Sequence, residues 1–163
     1  MKSLATATVA LREIGWDNLH TVLALEIEPA QQRFVASNAV SLAEAHFNPG
    51  AWFKGVYADE VLVGFVMLFD PTIPGAIASD PVEPTDMVLW RLMIDRRYQR
   101  QGLGRRTLDA VRRHAIGLSR FRRLLTSYVP GRGGPKDFYL SHGFVETGRL
   151  WDEGTEVEIA LTL

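Results

Sequence analysis

The spacing of hydrophobic residues along the chain predicts helices in four places. Leu19 and Val22 recur at helical spacing after Asp17, a residue type that often caps a helix. Ser41 and Glu44 have the spacing of a capping box and predict a second helix around them. The predicted helices cover residues 17–27, 31–46, 103–117 and 135–142.

Seven other segments have the alternating or continuously apolar pattern of β-strands. Asp59-Glu60 separates two of them and predicts a hairpin, as does Asp152-Glu153-Gly154 near the end of the chain. Residues 70–86 contain too many prolines for a regular element and predict a loop. The predicted strands cover residues 8–12, 52–58, 61–69, 87–95, 123–129, 144–151 and 156–163. This order predicts one α/β domain over residues 1–163, built on a mixed sheet.

The composition limits the class of protein. Of the 163 residues, 47% are hydrophobic and 23% are charged, as in a globular protein with its own core. No apolar run approaches the roughly 20 residues of a membrane span, so no membrane partner is expected. Residues 1–8 lack the apolar centre of a signal peptide, which favours a cytoplasmic location. The absence of cysteine excludes disulfides, thiolate metal sites and a cysteine nucleophile.

The charges are unevenly distributed, although the net charge is only −1. Residues 96–123 contain ten arginines and one acidic residue, Asp109, so that this region carries +9 and the rest of the chain −10. The basic region suits an anionic ligand, and the remainder could attract a cation. A nucleic-acid partner is not expected, because only Tyr98 and Phe121 lie among the arginines as aromatic residues.

A glycine-containing turn follows the predicted strand 87–95 and opens the next helix. Gly102 and Gly104 let a ligand approach the backbone, and the free N–H groups of a helix start attract an anion. The turn lacks the Gly-Lys-Ser/Thr of an ATP-binding loop, and Thr107 stands where a dinucleotide-binding loop has its third glycine. The turn therefore favours another phosphate-bearing ligand over ATP or NAD.

Two motifs resemble those of a known family. Gln99-Arg100-Gln101-Gly102-Leu103-Gly104 matches the Q/R-x-x-G-x-G/A signature of GNAT N-acetyltransferases, and residues 138–144 look like the family's second cofactor motif. The resemblance implies a single-domain GNAT fold, with a mixed, mostly antiparallel, twisted sheet of six to seven strands and about four helices. It also implies direct transfer of an acetyl group from acetyl-CoA, the co-substrate, to a primary amine, without a metal.

The resemblance further implies roles for individual residues. Tyr139 matches the family's frequent general acid, with a packing role beside Phe138 as the alternative. The backbone groups of Met93 and Ile94 would pair with the pantetheine arm and polarise the thioester. The full set implied to bind acetyl-CoA is Met93, Ile94, Gln99, Arg100, Gln101, Gly102, Leu103, Gly104, Arg105, Arg132, Lys136 and Phe138.

The second motif departs from the family pattern at one position. Many members carry asparagine after its Pro-Gly, whereas this chain has Arg132-Gly133-Gly134. Arg132 or Lys136 could instead meet a phosphate of CoA. His142 lies at the predicted helix end, where a helix cap is favoured over catalysis.

The N-terminal half contains the indications about the acceptor. Residues 31–45, with 63–67 and 90–95, resemble the spermine/spermidine (diamine) acetyltransferase branch of the family. A small polyamine would also suit the negative remainder of the chain. The candidate substrate-binding residues are Glu26, Glu28, Trp52 and Trp90, with Glu44, Glu83 and Asp86 as further candidates to take the amine proton.

Two alternatives to this hypothesis remain open, and the oligomeric state is a separate question. The acceptor could be another amine, such as an aminoglycoside, an amino acid or a peptide N-terminus. The chain could bind CoA as a regulatory module without catalysis. Finally, the resemblance allows a homodimer, since dimers are common in the family.

Overall fold

The computed structural model describes residues 4–163, and within this part seven strands and four α-helices are present. The strands are β1 (Val9–Arg12), β2 (Ala51–Ala58), β3 (Val61–Phe69), β4 (Asp86–Ile94), β5 (Arg123–Tyr128), β6 (Val145–Trp151) and β7 (Glu156–Thr162). The helices are α1 (Trp16–Leu23), α2 (Asn38–Phe47), α3 (Leu103–Gly117) and α4 (Lys136–Leu140). Residues 1–3 of the predicted domain lie outside the described residues.

All seven strands form one sheet in the order β1-β2-β3-β4-β5-β7-β6. Neighbouring strands run antiparallel except β4 and β5, which are parallel. The structure therefore confirms the predicted mixed, mostly antiparallel sheet. The predicted hairpins around Asp59-Glu60 and Asp152-Glu153-Gly154 are also present, as β2–β3 and β6–β7.

The two parallel strands separate along their length. Pairing between β4 and β5 covers only Asp86–Val88 with Arg123–Leu125. At this closed end the Asp86 carboxylate accepts two hydrogen bonds from the Arg123 guanidinium, at 2.9 and 2.6 Å, which holds the strands together. Beyond Val88 the β5 side of β4 has no strand partner within residues 4–163, and a wedge-shaped opening results.

A β-bulge lies in β4 where this opening begins. In β3, Met67 pairs with Arg91 and the next residue, Leu68, pairs with Leu89, so Trp90 is the extra residue. A bulge bends the strand and changes where its side chains point. The bend carries the C-terminal part of β4 away from β5.

Helices cover both faces of the sheet. On one face, α1 and α2 pack against β2 and β3 over a cluster that contains Val22, Phe65 and Met67. On the other face, α3 packs on β1 and β4 over a larger cluster, which also includes Tyr139 of α4. Within the described residues, no helix is long and apolar enough to cross a membrane.

The first two helices differ from their predicted bounds. Gly15 rather than Asp17 precedes α1, and Asp17 lies in its first turn. Of the predicted helix 31–46, only the part from residue 38 onward is α-helical, because Ser37 caps it by accepting a hydrogen bond from the Val40 N–H at 3.2 Å. Residues 24–37 therefore form a long connection that lies beside the wedge between β4 and β5.

Candidate active site

A cavity of about 1530 Å³ occupies the wedge between β4 and β5. Besides these strands and Phe69 of β3, its lining comes mainly from the connection between α1 and α2, the loop 70–85, the segment 96–105 that leads into α3, the segment 133–142, and the turn between β6 and β7. The elements of the predicted cofactor motifs are thus brought together at one site. The loop 70–85 and the β6–β7 turn, which contain neither motif, also reach this site.

The start of α3 forms one end of this cavity. Gly102 precedes the helix with a left-handed φ of 74°, and the first N–H to find a helical acceptor is that of Arg106, which donates to the Gly102 carbonyl. The N–H groups of residues 103–105 therefore have no acceptor within the helix. With the helix dipole, they form a site for an anionic group.

Of the five arginines near this helix start, three have their guanidinium groups bound by other parts of the protein. Arg96 pairs with Glu26, Arg97 pairs with Asp95, and Arg106 donates to carbonyl groups of the N-terminal segment. Within the described residues, no ion pair is recorded for the other two, and both line the cavity. These are Arg100 and Arg105.

Gly104 lies directly under an aromatic ring. A Cβ atom placed on it would come within 3.1 Å of the Phe138 ring. The Phe138 ring also contacts the ring of His142, whose Nδ1 lies 2.5 Å from the Phe138 carbonyl oxygen. His142 therefore caps the end of α4, as the sequence predicted, and glycine at position 104 lets the Phe138 ring pack directly against the start of α3.

The backbone of β4 presents hydrogen-bonding groups to the wedge at alternate residues. The Asp95 N–H donates to the Val63 carbonyl of β3 at 2.8 Å. Since hydrogen-bonded positions alternate along an antiparallel pair, Met93 also directs its backbone groups to β3, and Leu92 and Ile94 direct theirs to the wedge. The Ile94 carbonyl accepts from the Gln99 side chain at 2.9 Å. The alternation thus assigns the predicted backbone contact to Leu92 and Ile94 rather than to Met93.

Tyr139 lies at the narrow end of the wedge. Its side chain is only 7% exposed and packs edge-on against Phe138 and Phe144. Burial raises the pKa of its phenol to about 12, although a hydrogen bond with the Thr126 hydroxyl acts in the opposite direction. The phenol is therefore protonated at neutral pH and can donate a proton into the cavity.

The opposite face of the sheet contributes a different set of cavity residues. Trp90 and Arg91 come from β4, Ser127 from β5, and Trp151 and Glu156 from the β6–β7 hairpin. The Ser127 hydroxyl donates a hydrogen bond to Glu156. Burial lowers the pKa of the Arg91 guanidinium, and the carboxylates of Glu44 and Glu156 act in the opposite direction.

Five residues predicted for the site do not line the cavity. The side chain of Gln101 accepts a hydrogen bond from the Leu4 N–H. Trp52 stacks on His114 of α3 at 4.1 Å, with its ring held against that helix. Glu26 pairs with Arg96, and Lys136 pairs with Glu146. Arg132 is the fifth, and its backbone carbonyl accepts a hydrogen bond from the Arg33 side chain.

The carboxylates proposed as proton acceptors are also mostly occupied elsewhere. Asp86 is buried in its pair with Arg123, and Glu44 pairs with Arg91 at 3.0 Å. Glu83 is not among the lining residues, whereas Glu28 is. Among residues 4–163, no group of three or more acidic, histidine or cysteine side chains could hold a metal ion.

Sequence reasoning missed three acids that line the cavity, namely Asp80, Asp152 and Glu156. For Glu156, the spacing of acidic residues in the sequence was a signal. Glu156 and Glu158 are two residues apart on a predicted strand, so they must share one face. In the structure Glu158 is fully buried and accepts hydrogen bonds from Thr147 and Trp151.

The fold and the cavity define a ligand-binding α/β protein with an anion-binding helix start at one end of an open sheet. Comparison with known proteins gives the family. Residues 11–144 match the Acetyltransferase (GNAT) family. The chain belongs to this family, and it is an N-acetyltransferase.

Individual relatives agree with this assignment. The chain is 26% identical to the spermine/spermidine N(1)-acetyltransferase of Bacillus subtilis (strain 168), over 93% of this chain and 97% of the relative. Among solved structures, an acetyltransferase from Thermus thermophilus has a TM-score of 0.69 and 22% identity, covering 96% of this chain and 97% of that one. The aminoglycoside acetyltransferase AAC(6')-Ib, solved with coenzyme A, has a TM-score of 0.76 and 12% identity, covering 94% of each chain. The solved structures show a shared fold.

Proposed function

We propose that this N-acetyltransferase transfers the acetyl group of acetyl-CoA directly to a primary amine of a polyamine or diamine. One observation carries the proposal: charges of opposite sign are separated within a single cavity. Arg100 and Arg105, for which no ion pair is recorded within residues 4–163, line its α3 end, and the acids Asp80, Asp152 and Glu156 line its far end. The one arginine of the described residues at that far end, Arg91, has its charge paired with Glu44. A polyanionic donor and a polycationic acceptor would each meet charge of the opposite sign.

The α3 end of the cavity suits the phosphates and the pantetheine arm of CoA. The free N–H groups of residues 103–105 are suited to a pyrophosphate. The Phe138 ring packs directly against the start of α3 at this end of the cavity, because position 104 lacks a side chain. The open edge of β4 offers the backbone groups of Leu92 and Ile94 to the amides of the arm.

The chemistry requires a protonated group near the leaving sulfur. Acetyl-CoA supplies a thioester, whose carbonyl carbon is attacked and whose sulfur leaves as a thiolate. Tyr139 is suited to protonate this sulfur, because its phenol lines the cavity and is in its acid form at neutral pH. Since the chain has no cysteine, direct attack by the amine is the simplest route.

The acceptor face offers both charge and aromatic surface to an alkyl amine. Trp90 and Trp151 line it beside the acids, and indole rings attract ammonium groups that lie over their faces. The name of the Bacillus subtilis relative, a spermine/spermidine N(1)-acetyltransferase, supports the same class of acceptor. The likeness to the aminoglycoside acetyltransferase extends only to the fold.

The test is a panel of amines assayed with acetyl-CoA by the release of free CoA thiol. The panel contains spermine, spermidine, putrescine, an aminoglycoside, a free amino acid and a short peptide. We expect kcat/KM for at least one polyamine or diamine to exceed that for every other amine by about tenfold or more. A preference for the aminoglycoside or the peptide would overturn the polyamine assignment. Binding of acetyl-CoA without turnover of any amine would instead indicate a regulatory module.

A further inference from the structure

Two consecutive residues of β5 contact candidate catalytic side chains on opposite faces of the sheet, next to the wedge. Successive side chains on a strand point to opposite faces. Thr126 contacts the Tyr139 phenol on the face that carries α3 and α4. Ser127, the next residue, donates its hydroxyl proton to the Glu156 carboxylate on the other face. An acid and a carboxylate therefore flank the wedge from its two sides at the same level of the strand.

The Glu156 side chain projects from the sheet, and a hydrogen bond is recorded for one of its two carboxylate oxygens. Glu156 starts β7 opposite Trp151, and both side chains line the cavity. Within the described part of the chain, Ser127 is the one hydrogen-bond partner recorded for this carboxylate, on Oε2. No hydrogen bond to the second oxygen, Oε1, is recorded within residues 4–163, and the neighbouring charged group that acts on this carboxylate is the Arg91 guanidinium, which is itself paired with Glu44.

The other acids of the acceptor face are less well placed to take a proton at the wedge. Asp80 accepts a hydrogen bond from the Asp152 N–H, and Asp152 accepts one from the Thr155 hydroxyl. Both lie in surface loops rather than on the sheet. Glu158, two residues along β7, is fully buried and already accepts hydrogen bonds from Thr147 and Trp151.

We propose that Glu156 binds the ammonium group of the acceptor and takes its proton, and that Ser127 positions the Glu156 carboxylate for this step. The inference rests on the proposed function, since it requires an amine acceptor and acetyl-CoA. It identifies a catalytic residue and a positioning residue that the cofactor motifs do not include. Tyr139 and Glu156 then have complementary roles on the two faces of β5.

The proton balance of the reaction is complete with these two residues and solvent. The acceptor ammonium gives one proton to Glu156, and the neutral nitrogen forms a bond with the thioester carbonyl carbon. When the carbon–sulfur bond breaks, Tyr139 donates its proton to the sulfur. The nitrogen loses its second proton, which restores Tyr139 through solvent, and Glu156 releases its proton to solvent. The products are the amide, CoA thiol and one proton.

Glu156→Gln tests the proposal, since it keeps the shape of the side chain and removes its basicity. We expect kcat/KM for the best amine of the panel to fall about 100-fold or more at pH 7, the usual range for a lost general base. Glu153→Gln is the matched control, because Glu153 lies in the same hairpin, is exposed and does not line the cavity. Its kcat/KM should stay within about twofold of wild type.

The pH profile separates a proton acceptor from a residue that only binds the amine. Without Glu156 the reaction depends on amine that is already neutral, so log(kcat/KM) should rise with unit slope toward the amine pKa of about 10. The wild type should reach its plateau at lower pH. A Glu156→Gln variant with the wild-type profile would overturn the proposal, even if its KM for the amine were raised.

Two further measurements distinguish a failure of this inference from a failure of the proposed function. Calorimetric binding of CoA should be unchanged in Glu156→Gln, and binding of the amine to the CoA complex should weaken about tenfold, as expected for a lost charged contact. Ser127→Ala should reduce kcat/KM by about three- to tenfold, because it removes one hydrogen bond to the carboxylate. Wild-type kinetics in both variants would overturn this inference, whereas a wild type inactive on every amine would refute the proposed function.

Discussion

The two ends of the cavity are built from different parts of the polypeptide. At the α3 end the groups that we propose to bind the donor are mainly backbone N–H groups of one continuous segment, residues 103–105, arranged by a helix start. At the acceptor end they are side chains from β4, β5, the β6–β7 hairpin and the loop 70–85. A backbone site needs glycines at fixed spacing and so produces a readable motif. A site made of separate side chains produces none.

The difference also explains how a single fold could keep its donor and change its acceptor. Replacing a side chain at the α3 end alters few of the hydrogen bonds that hold a phosphate, since most come from the backbone. Replacing Trp90, Trp151 or Glu156 would change the chemistry of the acceptor end directly. Mutations that affect one end and leave the other unchanged are therefore the way to test this division.

The largest effect is expected where the two ends meet, at Tyr139. Tyr139→Phe removes the proton donor and keeps the packing against Phe138 and Phe144. We expect kcat to fall about 100-fold or more, while the affinity for acetyl-CoA changes by less than about twofold. Steady-state kinetics and calorimetry measure the two quantities. Tyr57→Phe on β2 makes the same change outside the cavity lining and should leave kcat unaltered.

The pH dependence of the wild type gives a second check on Tyr139. Burial raises the pKa of the phenol to about 12, so the acid form persists throughout the neutral and moderately alkaline range. Its loss would appear only as pH rises toward that value, and kcat should therefore show no decline below about pH 10. A decline near pH 8 or 9 that disappears in Tyr139→Phe would contradict the buried, protonated phenol.

A smaller effect, confined to the donor, is expected at Gly104. A side chain at this position would push against the Phe138 ring and displace it at the wall of the cavity, since even a Cβ would lie 3.1 Å from the ring. Gly104→Leu should weaken acetyl-CoA binding about tenfold or more and leave the KM for the amine nearly unchanged. Gly117→Leu, at the other end of α3, is the control because a Cβ there meets nothing within 4 Å. Equal acetyl-CoA affinity in the two variants would refute the placement of the pyrophosphate.

The sequence predicted the donor end better than the acceptor end for a physical reason. The helix predicted over 103–117 coincides with α3, because its glycines, its cap and its apolar spacing are all local signals. The start of α2 was predicted at residue 31 and lies at Asn38, after Ser37 as its cap. A long-range contact favours Ser37: the Asn38 side chain, at the first residue of α2, donates to the Val22 carbonyl of α1.

The acceptor residues depend on such long-range contacts throughout. Glu156 reaches the wedge because β7 lies between β5 and β6, an order that hydrophobic periodicity does not specify. Trp52, by contrast, was assigned to the acceptor by residue type alone. It lies instead on the face that carries α3, stacked on His114. Residue type predicts what a side chain can bind, whereas the strand order decides whether it reaches the site.

The smallest effect is expected at Asp80, on the rim of the acceptor end. Asp80→Asn keeps an oxygen that can accept from the Asp152 N–H and removes one negative charge. Partly exposed charge pairs are worth about 0.2–1 kcal/mol, which corresponds to a rise of about 1.4- to fivefold in the KM for a polyamine at low salt. The rise should shrink as salt screens the interaction. Asp137→Asn on α4, outside the cavity lining, should leave this KM unchanged. A KM for acetyl-CoA that changes as much as that for the polyamine would show that the two ends of the cavity are not independent.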